Sequence, residues 1–303
     1  MATSDSIQRA RPLLGTIVEI VAGGAAASKL DEPVDAAFDA IAQVHRLMSF
    51  HDSKSDVSRL NREAFDRDVA VHAWTYRVLS TALEIHRYSG GLFDITVAPL
   101  LQRHGLLPGD PDESFSPAGP SSAAGCIELL DGHRIHYRNR HVRIDLGGIA
   151  KGFAVDQALA ILRERGVTRG VINAGGDLAA FGPQPERVYV RNPANFDRRF
   201  CEVAIANAAL ASSGRSFDLV RGTDRAGCAI IDPNGRSPVR AVAGATVRAP
   251  SCMIADALTK VVMIAGEQSI ALLRQYRADA LFVLESGDVR ITPDWQAAVR
   301  FAA

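Results

Sequence analysis

The chain has 303 residues, of which 47% are hydrophobic, and its 34 basic residues balance its 34 acidic residues. A chain of this length and apolar content buries a large core, either as one large domain or as two closely packed lobes. The balanced charge gives no reason to expect nucleic acid or an anionic membrane as the main partner. Any polyanion must therefore be bound by local groups.

The amino-terminal segment MATSDSIQRARPLLGTIVEI has no long apolar stretch behind a basic cluster, and no window of about 18 apolar residues occurs elsewhere. We therefore expect a cytoplasmic protein without stable membrane insertion. The four cysteines are widely spaced and form no CxxC pair. This spacing favours isolated buried thiols over a disulfide framework or a zinc site.

Hydrophobic periodicity predicts the first elements in order. GTIVEIVAG alternates as a strand does, and LDEPVDAAFDAIAQVHRLMSF has the spacing of a helix. WTYRVLSTALEIHRYSGG predicts a second helix that ends at Gly90 and Gly91. Residues 107–125 are rich in Pro, Gly, Ser and Asp, which predicts a mobile surface loop. Strands are then predicted at CIELL, RIHYR and HVRIDL, before a helix that begins near Lys151.

The second half of the chain mixes short strands with helices. Strands are predicted at GVINAGGDLAAFG, RVYVR, CEVAIA and AALASSG, and a helix at MIADALTKVVMIAG. SIALLRQY, ADALFVLE and DVRIT then predict a helix and two strands. The absence of a regular βα alternation favours an α+β fold, and no repeat or composition break marks a domain boundary.

The stretch RIDLGGIAKGFAVDQALAIL combines the features of a phosphate-binding turn. A strand ends at Asp145, breaks at Gly147 and Gly148, and leads into a helix headed by Lys151. The free N–H groups at the start of a helix attract anions, and a lysine at the same place adds a positive charge. Glycines let a ligand approach the backbone closely. The spacing matches neither the Walker loop nor G-x-G-x-x-G. On spacing alone, the alternative is a glycine turn that packs the helix against the strand and binds no ligand.

Two further segments place polar groups in apolar surroundings. NAGGDLAAFG has a glycine pair before Asp177, which predicts either a close approach of a ligand or a tight turn. GLFDITVAPL offers Phe93 for ring packing and Asp94 and Thr96 as polar groups. A capping role for Asp94 is the alternative.

Six segments occur together in the order and approximate spacing of one protein family: MSFHDSKSDVSRLN, GLFDITVAPL, IDLGGIAKGFAVD, INAGGDL, IIDPNGRSPV and SCMIADALTKVVMIAG. On these segments the chain resembles the ApbE family of FAD:protein FMN transferases over nearly its full length. The resemblance implies one large two-lobed α+β domain over residues 1–303, with FAD in the groove between the lobes. It also implies transfer of FMN from FAD to a threonine hydroxyl of an acceptor flavoprotein, with release of AMP and use of a divalent metal, usually Mg²⁺.

The resemblance also assigns roles to residues. It places an FAD-contacting acid at Asp145, an FAD-contacting lysine at Lys151, and a metal-binding backbone carbonyl at Gly148. The other implied FAD-binding positions are Leu14, His51, Leu92, Phe93, Asp94 and Ile231. The ring of His51 would stack on adenine or flavin, and an exposed loop position is the alternative.

The helix near the carboxyl end departs from the family pattern. The family carries an Asp and, four residues later, a Thr that both reach the metal, whereas this chain has Asp256 and Lys260, with Thr259 one position earlier. Residues four apart share one helix face, so an ammonium at Lys260 would repel a dication and is placed to pair with Asp256. Asp256 and Lys260 are the expected catalytic residues, and Gly148, Asp256 and Thr259 are the expected metal ligands.

These departures leave two main hypotheses. The first is a working transferase in which Lys260 supplies some or all of the positive charge of the metal. The second is an altered FAD-binding relative that acts as an FAD carrier, a regulator or an FAD pyrophosphatase. The first is favoured because Lys151, Asp256 and the glycine turns are retained. A flavin redox enzyme is a weaker third hypothesis, because nothing suggests a second substrate pocket.

Overall fold

A computed structural model describes residues 6–24, 26, 29–109, 123–215 and 230–301. The helices in this part of the chain are α1 (Asp31–Met48), α2 (Asp56–Glu63), α3 (Ala73–Tyr88), α4 (Ala98–Arg103), α5 (Ala150–Glu164), α6 (Cys252–Ala265) and α7 (Ile270–Gln275). The strands are β1 (Ser6–Leu13), β2 (Thr16–Gly23), β3 (Val69–Ala70), β4 (Ile127–Leu130), β5 (Arg134–Tyr137), β6 (Arg169–Ala174), β7 (Asp177–Phe181), β8 (Glu186–Asn192), β9 (Asn195–Ile205), β10 (Ala208–Gly214), β11 (Ile231–Asp232), β12 (Ser237–Pro238), β13 (Val242–Ala249), β14 (Asp279–Leu284), β15 (Val289–Ile291) and β16 (Val299–Phe301).

An eight-stranded antiparallel sheet forms the centre of the fold, with the strand order β1-β2-β6-β7-β10-β13-β14-β15. Its register follows the alternating apolar pattern of the strands. In β2 the buried residues Val18 and Ile20 lie opposite Ala174 and Ile172 of β6, which are also buried. A slip of one residue would turn this apolar row towards solvent, so burial fixes the pairing.

Helices α1, α5 and α6 cover one face of the central sheet and enclose the larger hydrophobic core. In α1 the buried apolar residues recur every three or four positions, as in Val34, Phe38, Ile41 and Val44. This spacing places them on one stripe of the helix, and burial of that stripe stabilises the helix against the sheet. The sequence-based assignments of α1, α3, α5, α6 and α7 are confirmed.

A three-stranded sheet with the order β16-β9-β8 covers the opposite face of the central sheet. Between the two sheets lies a smaller core that includes Leu178, Val203, Leu210, Leu281 and Trp295. Because β7 lies between the two cores, all five of its residues are buried. The expected α+β class is confirmed.

The predicted strand HVRIDL at residues 141–146 is wrong, because this segment is extended but joins no sheet. Its polar backbone groups have other partners. The side chain of Asn61 accepts from the Ile144 N–H at 2.8 Å and donates to the Ile144 carbonyl at 2.9 Å. The Asp145 N–H donates to the Ile95 carbonyl at 2.8 Å. An asparagine and a neighbouring turn thus replace a strand partner.

The predicted strand GVINAGGDLAAFG is two strands, β6 and β7, joined by a turn at Gly175 and Gly176, which both have positive φ. Most of the predicted loop 107–125 falls at residues 110–122, outside the described residues. No helix in the described ranges is long and apolar enough to cross a membrane.

The cysteines that the structure describes have the expected character of isolated thiols. Cys201 and Cys252 are buried, and Cys126 is half-buried. Burial raises the pKa of the Cys201 thiol to about 11, and burial together with nearby carboxylates raises the pKa of Cys252. Both thiols are therefore held in the protonated, unreactive form.

Candidate functional site

The candidate site lies at one end of the central sheet, where two hairpin turns meet. The β1–β2 turn contains Leu14 and Gly15, and the β6–β7 turn contains Gly175 and Gly176. A Cβ atom added to Gly175 would lie only 2.6 Å from the Thr16 hydroxyl, so the two turns are in contact. Strand β7 leaves this point at its first residue, Asp177.

Four charged residues meet beside these turns, and we refer to them as the charge cluster: Lys151, Asp177, Asp256 and Lys260. The Lys151 ammonium pairs with an Asp177 carboxylate oxygen, and the Lys260 ammonium pairs with Asp256 Oδ1. Lys260 Nζ also donates to the Asp256 backbone carbonyl at 3.1 Å. Asp177 comes from strand β7, Lys151 from α5, and Asp256 and Lys260 from α6. The cluster therefore joins the central sheet to helices α5 and α6.

Burial divides the charge cluster into an inner and an outer part. The side chains of Asp177 and Asp256 are 1% and 0% exposed, whereas those of Lys260 and Lys151 are 17% and 32% exposed. The cluster therefore leaves part of its two lysine side chains, and almost nothing of its carboxylates, accessible from outside. An anion is the ligand that such a surface attracts.

The electrostatic environment keeps Lys151 charged. Burial lowers the pKa of Lys151, but the Asp177 and Asp256 carboxylates outweigh it and raise the pKa above its ordinary value. Burial opposes the ionisation of Asp256, yet Lys260 and Lys151 hold its pKa below the usual range. Burial and the Asp256 charge raise the pKa of Asp177. Asp256 is thus the acid that this arrangement stabilises best as a carboxylate.

Helices α5 and α6 cross closely beside the charge cluster. The Gly152 N–H of α5 donates to Asp256 Oδ2 at 3.1 Å. A Cβ atom at Gly152 would lie 2.2 Å from the Cys252 carbonyl oxygen, so only glycine fits this crossing. Asp156 of α5 caps α6, where it accepts hydrogen bonds from Ser251 Oγ, Cys252 N and Met253 N at 2.8 to 2.9 Å. These contacts fix Lys151 relative to Asp256.

The segment around Phe93 lies against the charge cluster. A Cβ atom built on Gly148 would be 3.5 Å from Lys260 Cε and 3.6 Å from the ring of Phe93. Asp145 is tied to the same segment by the hydrogen bond from its N–H to Ile95, and its side chain accepts from the Gly147 N–H at 3.2 Å. The structure thus brings together Phe93, Gly148 and Lys260.

Asp94 has one carboxylate oxygen in use and one without a partner. Oδ1 accepts hydrogen bonds from the backbone N–H and the hydroxyl of Thr96, both at 2.7 Å. Oδ2 is buried, and within the described part of the chain it has no hydrogen-bond partner. The cap that Asp94 provides to the turn Ile95–Val97 is real. A buried hydrogen-bond acceptor without a donor lowers the stability of a protein, and an N–H or O–H group of a ligand would supply a donor to Asp94 Oδ2.

Three other predicted FAD-binding residues, Leu14, Leu92 and Ile231, are at least partly buried. Leu14 is half-buried, and its N–H donates to His45 Nδ1 at 3.2 Å. Leu92 is half-buried beside Phe93, and Ile231 packs against Leu100 and Leu101 of α4.

His51 lies apart from the cluster. It is exposed on the loop after α1, where its ring packs edge-on against Phe50. Within the described ranges, no hydrogen bond, ion pair or ring contact joins His51 or Ile231 to the charge cluster.

Of the predicted metal ligands Gly148, Asp256 and Thr259, the two side chains already have hydrogen-bond partners within the protein. Lys260 and Gly152 already engage the two carboxylate oxygens of Asp256. The Thr259 hydroxyl donates to the Asp256 carbonyl at 2.7 Å and bonds Ser213 Oγ at 2.8 Å. Across the described residues, no group of three or more His, Cys, Asp or Glu side chains is arranged to hold a metal ion.

Charge argues against a metal at the same place. A dication held about 4 Å from the Lys260 ammonium would be repelled by roughly 8 kcal/mol at an effective dielectric constant of about 20. Magnesium prefers oxygen ligands and water in an octahedral shell, which an adjacent ammonium disturbs. The residues present therefore do not fit a divalent metal.

Sequence reasoning missed the roles of Asp177 and Asp156. Asp177 was recognised only as a residue after a glycine pair, although a lysine at a helix start that is buried needs a counter-ion. The signal that would have found it is the placement of an acid at the first position of a fully apolar strand. Asp156 carries no comparable signal, because a mid-helix Asp is ordinarily solvated.

Comparisons with known proteins agree with this description. The ApbE family model matches residues 14–282 of the chain. An FAD:protein FMN transferase from Vibrio cholerae is 27% identical over 94% of this chain and 89% of that protein. The crystal structure of an ApbE protein from Thermotoga maritima has 26% identity and a TM-score of 0.84, covering 97% of this chain and 99% of that chain. The apo flavinyl transferase ApbE of Pseudomonas stutzeri, at 23% identity, shares the fold with a TM-score of 0.81 over 100% of this chain and 99% of that chain.

Proposed function

The chain belongs to the ApbE family, and from this premise we propose that it is an FAD:protein FMN transferase. In the proposed reaction a threonine hydroxyl oxygen of an acceptor flavoprotein bonds to the phosphorus of the FMN half of FAD. The bond from that phosphorus to the bridging oxygen breaks, and its electron pair leaves with AMP. The hydroxyl proton passes to solvent, so the products are the FMN–threonine phosphoester, AMP and a proton.

The observation that carries this proposal is the pair of lysines in the charge cluster, whose side chains are partly exposed while the carboxylates beside them are buried. The pyrophosphate of FAD carries two negative charges, and more charge develops on the leaving AMP as the bond breaks. Lys151 at the head of α5 and Lys260 on α6 would neutralise that charge without moving, which is how a fixed site lowers a barrier. In this arrangement Asp177 and Asp256 act as positioning residues that hold the two ammonium groups.

The flavin ring would lie over the segment of Leu92, Phe93 and Asp94. The unpartnered Oδ2 of Asp94 supports this placement, because the flavin ring offers an N–H donor. Leu14 and Ile231 would contact apolar parts of FAD, and His51 would stack on a ring only after movement of its exposed loop.

Asp145 would accept hydrogen bonds from hydroxyl or amino groups of FAD and so orient it, because an acid beside a pyrophosphate cannot neutralise charge. FAD would then occupy the groove at the end of the central sheet. A cytoplasmic location for both enzyme and acceptor remains a prediction, which fractionation of cells would check.

Mass spectrometry of a threonine-bearing acceptor domain tests the proposed function. The purified chain is incubated with FAD and the acceptor, and the acceptor mass and the released nucleotide are measured together. A transferase adds one FMN to a threonine and releases AMP in equal amount. A matched acceptor with that threonine changed to valine, which keeps the shape and removes the hydroxyl, should gain no mass.

The same assay separates the alternative function. Free FMN and AMP in equal amounts, with an unmodified acceptor, would identify an FAD pyrophosphatase. FAD that stays intact while it remains bound would identify a carrier or regulator. Either result contradicts the transferase proposal for that acceptor class.

A further inference from the structure

We propose that Lys260 is a built-in cation that takes the place of a divalent metal, so that this chain binds FAD and transfers FMN without Mg²⁺. The inference rests on the proposed function, because it concerns the same phosphate site. It starts from the disagreement between the metal that the family resemblance implies and the donor set that the chain presents.

The first support is the charge of the cluster. With a neutral residue at position 260, Lys151, Asp177 and Asp256 would sum to one negative charge beside an anionic pyrophosphate. An external cation would then be needed before the anion could bind. With Lys260 present, the two ammonium groups balance the two carboxylates, and the lysine side chains are more exposed than the carboxylates. The protein thus supplies the cation itself.

The second support is the fixed position of Lys260. Its ammonium is held by Asp256 Oδ1 and by the Asp256 backbone carbonyl at 3.1 Å, both one helical turn earlier in α6. Its methylene groups lie against Gly148, with 3.5 Å between Lys260 Cε and the position of an added Cβ. An ammonium has three N–H donors. Two are used by Asp256 oxygens, which leaves one for a phosphate oxygen.

The third support is that the side-chain oxygen atoms of Asp256 and Thr259 already have hydrogen-bond partners within the protein. The hydroxyl of Thr259 lies in a separate hydrogen-bonded pair with Ser213, at 2.8 Å. Asp256 Oδ2 is held by the Gly152 N–H. A metal at Asp256 Oδ1 would take the place that the Lys260 ammonium occupies. The ammonium is therefore the resident cation of the site.

The experiment compares wild type with Lys260→Thr and Lys260→Met in the full-length chain. Threonine restores an oxygen ligand, and methionine removes the charge at similar length without adding a ligand. FAD affinity is measured by calorimetry in EDTA and in excess Mg²⁺, and Mn²⁺ bound to the FAD complex is counted by electron paramagnetic resonance. Circular dichroism and thermal unfolding show whether each variant is folded.

The expected wild-type result is an FAD affinity that changes by less than about twofold between EDTA and Mg²⁺, with no bound Mn²⁺. Lys260→Thr should lose roughly tenfold or more in FAD affinity in EDTA, regain it in Mg²⁺, and bind one Mn²⁺. Lys260→Met should bind FAD weakly under both conditions. If neither variant folds, the wild-type measurements still decide, because they need no substitution.

Five results would overturn the inference. A wild-type chain that binds one Mn²⁺, or that loses tenfold in FAD affinity in EDTA, uses a metal. A folded Lys260→Met that binds FAD in EDTA as tightly as wild type would show that the ammonium does not contact the phosphates. FMN transfer that occurs only with Mg²⁺ would keep the proposed function and reject this inference, whereas no FAD binding under any condition would reject both.

Discussion

Replacement of Gly152 by alanine tests the close crossing of α5 and α6 that builds the charge cluster. Helix propensity alone predicts that the substitution raises the free energy of unfolding, because alanine is more favourable than glycine inside a helix by about 1 kcal/mol. Packing predicts the opposite. The added Cβ would lie 2.2 Å from the Cys252 carbonyl oxygen, 2.6 Å from its carbon and 2.8 Å from Asp256 Cβ. Two of these atoms belong to the backbone, so the helices themselves must move apart.

The expected size of the effect follows from these contacts. Overpacking of a well-ordered site costs about 1 to 3 kcal/mol. Separation of the helices also weakens the bond from Gly152 N–H to the Asp256 carboxylate, and a bond to a charged group is worth about 1.5 to 3 kcal/mol. After the gain in propensity is subtracted, we expect Gly152→Ala to lower the free energy of unfolding by about 1.5 to 5 kcal/mol. FAD affinity should fall as well, because Asp256 holds Lys260.

Chemical denaturation with urea, followed by circular dichroism, measures this change. Gly125→Ala is the matched control, because nothing lies within 4 Å of a Cβ atom added there and its φ is not positive. The free energy of unfolding of the Gly125→Ala control should stay within about 1 kcal/mol of the wild-type value. A Gly152→Ala protein as stable as wild type, with unchanged FAD affinity, would show that the two helices do not cross as closely as described.

Three further outcomes are expected. Lys151→Met, in protein with a wild-type circular dichroism spectrum, should weaken FAD binding by about 10- to 150-fold in calorimetry, because a charged hydrogen bond to phosphate is lost. Asp156→Ala should lower the free energy of unfolding by about 1 to 3 kcal/mol in urea denaturation through loss of the α6 cap, whereas Asp39→Ala on the exposed face of α1 should change it by less than about 0.5 kcal/mol. Leu14 has a φ of 56°, a backbone conformation that asparagine adopts more readily than leucine. Leu14→Asn should therefore raise the free energy of unfolding in urea denaturation by about 0.5 to 1 kcal/mol. A simultaneous loss of FAD affinity would show that the leucine side chain contacts FAD.

Local patterns were sufficient to predict α1, α3, α5, α6 and α7 and most of the strands, but not α2 and α4. The apolar stripes of α1 and α6 are long enough for helical periodicity to be read directly. Strand β1 was missed because its partly exposed faces carry Gln8, Arg9 and Arg11, which hide the alternation. The segment 141–146 was assigned as a strand because its alternation is real, but its polar partners are the Asn61 side chain and the turn near Ile95. Such tertiary substitutes for a strand leave no trace in the local sequence.

The candidate site was predictable only as far as its local chemistry extends. The glycine turn and Lys151 indicate an anion site, and the spacing of Asp256 and Lys260 predicts their pairing along one helix face. The pairing of Lys151 with Asp177 joins residues 26 positions apart, and the bond from Gly152 to Asp256 joins residues 104 positions apart. Burial of Asp256 depends on this helix crossing, so sequence spacing could not show that the pair lies inside the protein.

A crystal structure of the chain with FAD tests most directly the claim that the charge cluster holds the flavin phosphates. We expect the pyrophosphate to lie within about 3.2 Å of Lys151 Nζ and Lys260 Nζ, at hydrogen-bond distance. The flavin ring should pack on Phe93 and donate a hydrogen bond to Asp94 Oδ2. Well-defined FAD whose phosphates lie beyond about 8 Å from both ammonium groups, where salt screens their charge, would contradict the account.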